Sequence, residues 1–130
     1  MEDFGRRMDV SQNAADFIVA TFRSVWTLEL LLSLRQSPDR AFSTAELVTA
    51  LRASDPIVNS GIESLIAAGL VADEGVGRVR YAPASKDLEE KVQEAEELYR
   101  IKPDAVRRLI VRGTAGGLAA FADAFKLWGK

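Results

Sequence analysis

The run from Val25 to Leu34 constrains this chain more than any other segment. Val25, Trp26, Leu28, Leu30, Leu31, Leu32 and Leu34 cover almost every side of a helix. A helix apolar all round is stable only inside a core, so the remaining elements must wrap it. Phe17, Ile18, Thr21 and Phe22 carry the same pattern upstream. One helix is therefore predicted from Ala14 to Gln36, ended by Pro38. Met1–Val10 mixes charges around Gly5 without a clear period and is read as a loose terminus. The large aromatics Phe17, Phe22 and Trp26 belong to the core in this reading, with a small-molecule pocket as the other use of such a cluster.

Downstream, local signals alternate quickly. Ala41-Phe42 can form a brief strand. Ser43 followed three residues later by Glu46 is a capping box, in which two helix-terminal donors are satisfied reciprocally. The helix it starts buries Leu47, Val48 and Leu51. Ser54 or Asp55 then caps a new helix with Pro56 in its first turn. That helix buries Val58, Ile62, Leu65 and Ile66 and ends at Ala68-Gly69. Leu70-Val71-Ala72 and Val79-Arg80-Tyr81 flank Asp73-Glu74-Gly75-Val76-Gly77, two strands joined by a glycine-rich turn. Ser85 caps a long polar helix from Lys86 to about Arg100. Pro103-Asp104 restarts a helix through Val111 that Gly113 closes, and Leu118–Trp128 forms the last.

The predicted fold class is thus mainly α with a small antiparallel β-hairpin. The expected organisation is a flexible N-terminus over 1–13, a folded head over 14–84 and a helical extension over 85–130. The order of elements from Val25 to Pro83 resembles the winged helix-turn-helix of small bacterial transcriptional regulators. The resemblance rests on Ser43-Thr44-Ala45-Glu46-Leu47, the break at Arg52-Ala53-Ser54, and Ile62-Glu63-Ser64-Leu65-Ile66-Ala67-Ala68-Gly69-Leu70-Val71. The tail from Leu98-Tyr99-Arg100 to Phe121-Ala122-Asp123-Ala124-Phe125 resembles that of poorly characterised bacterial proteins with such a head. The resemblance implies that the helix after Ser54 enters the DNA major groove, presenting Pro56, Asn59, Ser60, Glu63 and Ala67. Arg52, Asn59, Ser60, Arg78 and Arg80 are the candidate DNA-binding residues, Asn59 being able to pair with adenine.

Charge argues the other way. The chain has 17 Lys and Arg against 19 Asp and Glu, a net charge of −2. No cation occurs between Ala53 and Gly77, where Asp55, Glu63, Asp73 and Glu74 stand. Phosphate neutralisation supplies most non-specific affinity for DNA, so this surface starts with repulsion. Arg78 and Arg80, two apart on one strand, share a face. They either grip phosphate or pair with Asp73 or Glu74 in solvent. Only the segment 105–130 is basic, with five cations and one acid.

Two apolar stripes mark the extension. Leu88, Val92, Ala95 and Tyr99 follow the spacing of a coiled-coil seam, and Leu118, Phe121, Phe125 and Trp128 repeat it with larger residues. Both are candidates for dimerisation or docking, and the first can alternatively pack on its own head. The expected partners are DNA and a second copy of the chain as a homodimer. In the alternative function, the head is a protein-interaction module that uses its acidic face or the aromatic helix. A membrane partner is not expected, although Arg107, Arg108, Arg112, Lys126 and Lys130 near the last helix allow a surface-lying one. With no histidine and no cysteine, the commonest general base, thiol catalysis and the usual zinc ligands are missing. The chain is read as a non-enzyme without cofactor, metal or catalytic residues, in the cytoplasm.

Overall fold

The structure is a computed structural model that describes the backbone of residues 2–115 and the side chains of 12–113. It is mainly helical, with six helices and a three-stranded antiparallel sheet among the described residues. The helices are α1 (Glu2–Thr21), α2 (Val25–Arg35), α3 (Thr44–Leu51), α4 (Asp55–Ala67), α5 (Lys86–Ile101) and α6 (Pro103–Ala115). The strands are β1 (Phe42–Ser43), β2 (Val71–Gly75) and β3 (Arg78–Tyr81).

The apolar run is two helices rather than one. Between Gln12–Thr21 and Val25–Arg35 the axis turns by 107°. Ser24, in extended conformation, caps α2 by accepting from the Thr27 amide at 3.2 Å. The apolar period passes through the bend because Ile18 and Phe22 on one side and Leu28 and Leu31 on the other enter the same core. The helix also begins at Glu2 rather than Ala14, since extending a formed helix costs little per residue. No single helix among the described residues is long and apolar enough to cross a membrane.

Four residues of α2, Leu28, Leu30, Leu31 and Leu34, are at most 1% exposed and form the centre of the core. Over them close Leu47 of α3, Val58 and Leu65 of α4, Val79 and Tyr81 of β3, Val92 and Ala95 of α5, and Val106 and Ile110 of α6. Gly61 lets α2 and α4 approach, because a Cβ there would stand 2.9 Å from Leu30 Cδ2. Trp26 is the exception to the buried helix: it is 41% exposed, not a core residue.

Local signals read from sequence are realised between α3 and β3. Ser43 and Glu46 make both bonds of the capping box. Ser54 caps α4, with Pro56 in its first turn. At its other end, Gly69 takes φ +76°, while the Leu70 amide donates to Leu65 O and the Gly69 amide to Ile66 O, both at 3.0 Å. This Schellman arrangement turns the chain directly into β2. Ile66, expected inside, is exposed, because the buried stripe of α4 is completed by Val58, Gly61, Ile62 and Leu65. β3 is the central strand, pairing Phe42↔Val79 with β1 and Val71↔Tyr81 with β2.

The extension packs back on the head. Val92 and Ala95 are buried in the chain's own core, and Leu88 and Tyr99 pack beside them. Gly113 does not close α6, which runs to Ala115. It sits within α6 facing α1, where an added Cβ would make an ordinary contact, 3.6 Å from Val19 Cγ1.

Candidate functional site

The candidate surface is built from α4 and the β2–β3 hairpin. Once Val58, Gly61, Ile62 and Leu65 are committed to the core, Pro56, Asn59, Ser60, Glu63 and Ala67 must face outward, and all five are exposed. Asn59 and Ser60 are therefore available on the surface. Ser60, Glu63 and Ala67 also border a groove of about 630 Å³ whose far wall is formed by Phe17, Thr21 and Arg23 of α1 and the end preceding α2. Half of the outward face of α4 therefore looks into a cleft rather than standing clear of the molecule.

The three arginines lie in different surroundings. Arg52 ends α3 in left-handed conformation, φ 55°, is exposed and makes no ion pair with a described residue. Arg78 Nη1 lies 3.5 Å from Glu46 Oε1 and donates to Ala41 O at 3.4 Å. Arg80 Nη2 lies 3.2 Å from Glu74 Oε2. The pairing foreseen across the hairpin thus holds for Arg80, whereas Arg78 reaches α3. Glu46 is a hub: it closes the capping box, contacts Arg78 and pairs with Arg40. The Ser43 amide holds its carboxyl below the usual range, and Arg40 adds to this.

The hairpin tip carries the feature that sequence reasoning passed over. Val76 has φ +56°, between Gly75 at +83° and Gly77 at +71°, and is 100% exposed. A two-residue hairpin loop with positive φ at both positions favours Asn-Gly, and a β-branched residue there is strained. The signal was present in Gly75-Val76-Gly77: a two-residue loop between paired strands calls for positive φ at both of its positions, and Val76 occupies the first. Asp73 reinforces the turn by accepting from the Gly75 amide at 2.8 Å. The tip is consequently acidic with an apolar point.

Of the dimerisation candidates, Val92 and Ala95 have no exposed face to offer. Leu88 is half-buried, and Tyr99 is occupied within the chain, its hydroxyl donating to Glu29. Leu118, Phe121, Phe125 and Trp128 lie outside the described residues. Among the described residues, no three histidine, cysteine or acidic side chains are grouped to hold a metal ion. No protein-family model, curated protein or solved structure matches this chain.

Proposed function

We propose that residues 25–83 form a winged helix that serves as a protein-docking module rather than as a reader of DNA. The order of elements supports the fold assignment: a capped α3, a tight turn into α4, and α4 passing through Gly69 into a hairpin whose inner strand pairs with β1. The charge of the face formed by α4 and the hairpin carries the functional part. Asp55, Glu63, Asp73 and Glu74 are all exposed there, and Arg78 and Arg80 stand beside Glu46 and Glu74. Exposed ion pairs are weak, so phosphate could displace them, but the displaced carboxylates would remain beside it. The acids also fit a partner segment rich in Lys and Arg. Ile57 and Ile66, each 39% exposed, and Val76 supply apolar contact that charge alone would lack.

DNA binding remains a second reading because Arg52, Asn59 and Ser60 are exposed on or next to α4. One titration separates the two. A fluorescent basic amphipathic peptide and a mixed-sequence DNA duplex are each titrated with the full chain at 50 mM salt. The docking reading expects peptide binding that Glu63→Lys weakens several-fold, and no duplex binding. Salt-sensitive duplex binding lost in Arg78→Ala with Arg80→Ala would reverse the assignment.

A further inference from the structure

Two helices of this chain expose faces of opposite sign. On α4, Asn59, Glu63 and Ile66 stand at i, i+4 and i+7, one above the other on the same side. All three are exposed, and Glu63 makes no ion pair with a described residue. On α6, Val106 and Ile110 are committed to the core. Asp104, Arg108 and Val111 therefore stand on its outer side, again at i, i+4 and i+7, with Arg112 beside them. These four are exposed, Val111 by 54%.

The cations of α6 are only partly engaged within the chain. Arg107 pairs with Asp104 at 3.0 Å and lies over the Tyr99 ring. Arg108 donates through Nε to the Asp104 backbone oxygen at 3.4 Å, and Arg112 makes no ion pair with a described residue. Two like charges four apart on a helix repel each other. The C-terminal end of a helix favours a cation, which accounts for Arg112 but not for the open Val111 next to it. α4 packs on α2, α3 and β2, and α6 on α1, α5 and α2. The two faces are thus held by largely different neighbours and make no ion pair with each other inside one chain.

We propose that the occupant of the α4 face is α6 of a second copy of this chain. This rests on the docking reading of the α4 face and names its partner. The match is residue by residue when the two helices run side by side in the same direction. Glu63 meets Arg108, Ile66 meets Val111, and Asn59 meets Asp104. The one acid of the α6 stripe thereby faces a neutral amide that can donate to it, instead of a second carboxylate. A pair closed by a two-fold axis makes this contact twice, α4 of each copy on α6 of the other.

The test is sedimentation velocity of the full chain at 50 mM salt over rising concentration. The expected mass rises from one chain to two and falls back in 0.5 M salt. Glu63→Lys and Arg108→Glu should each weaken association at least tenfold. An equal mixture of the two variants should recover it, because one contact stays unaltered and the other has its charges exchanged. Recovery also shows that both variants are folded. Asn59→Asp separates this register from general attraction: it should strengthen capture of a basic peptide yet weaken self-association several-fold. A chain that stays single at the highest concentration would overturn the pairing. So would association that neither reversal weakens, or variants that stay single when mixed. Capture of a basic peptide through Glu63 by a chain that stays single would give the face to a foreign partner and leave the docking reading standing. Neither capture nor self-association would end both.

Discussion

At Val76 a single residue sets fold stability against the docking proposed for this surface. Its left-handed backbone costs of the order of 1 kcal/mol for a β-branched side chain, and nothing in the fold repays this, since the side chain is wholly exposed. Val76→Asn is expected to raise the urea midpoint, by about 1 kcal/mol of stability, while weakening capture of a basic peptide by removing the apolar tip. A variant that is less stable than wild type would show that the turn is not strained as described. Glu46 offers the converse test, because it holds Arg40 and Arg78 beside a carboxylate. Glu46→Gln together with Glu74→Gln is expected to raise salt-sensitive duplex binding above that of the wild-type chain, measured by anisotropy at 50 mM salt. Unchanged binding would show that these acids do not oppose DNA on this face.

Among the elements, those with local signals were the ones legible in the sequence. The capping box at Ser43 and Glu46, the Ser54 cap and the Gly69 turn are each specified within about five residues, so no tertiary knowledge was needed to find them. The bend at Ser24 was hidden because apolar period reports burial, not axis direction, and both arms face one core. Gly113 marks no helix end for a related reason: a glycine that stops a helix and one carried inside it look alike until the tertiary contacts along the helix are placed. The seam of α5 was a correct stripe whose cover, the head itself, could not be read from spacing. Of the candidate site, the outward residues of α4 followed from its buried stripe, whereas the Arg78–Glu46 contact joins residues far apart in sequence. Because Val92 is buried in the chain's own core, Val92→Ala should cost roughly 1–3 kcal/mol of unfolding free energy. The loss should be independent of protein concentration. A change in oligomeric state without loss of stability would instead return α5 to the role of a dimer seam.

On the scale of the molecule, a polar cluster around Arg35 helps tie the head to the extension, and it makes their union dependent on pH. Arg35 of α2 donates to Glu89 at 2.9 Å and to Glu96, both on α5, and lies 6.0 Å from the ring centroid of Tyr81 on β3. Tyr81 in turn donates to Glu89 at 2.5 Å. Burial works against the charge on Glu89, but the Tyr81 hydroxyl and the Arg35 guanidinium outweigh it and hold the carboxyl below its ordinary range. Burial and the same carboxylate raise the Tyr81 phenol, so it stays a donor throughout the neutral range. A carboxyl whose folded pKa is depressed contributes stability above its unfolded pKa and loses it as pH falls through the folded value. The tie between head and extension should therefore weaken in acid, below the ordinary carboxylate range. Arg35 Nε is buried without a partner among the described residues, an unmet donor that lessens what the cluster gains. Arg35→Met is accordingly expected to cost only about 1–2 kcal/mol at neutral pH. It should also make the fall in melting temperature between pH 7 and pH 3 shallower than in the wild type. Part of the slope should persist, because Glu46 and Glu97 also titrate low, held by the Ser43 amide and by Arg100. Amide exchange gives the spatial readout: in Arg35→Met, α5 should lose protection while the centre of α2 keeps it. Equal loss in both helices would mean that the cluster stabilises the core as a whole and does not join two parts of it.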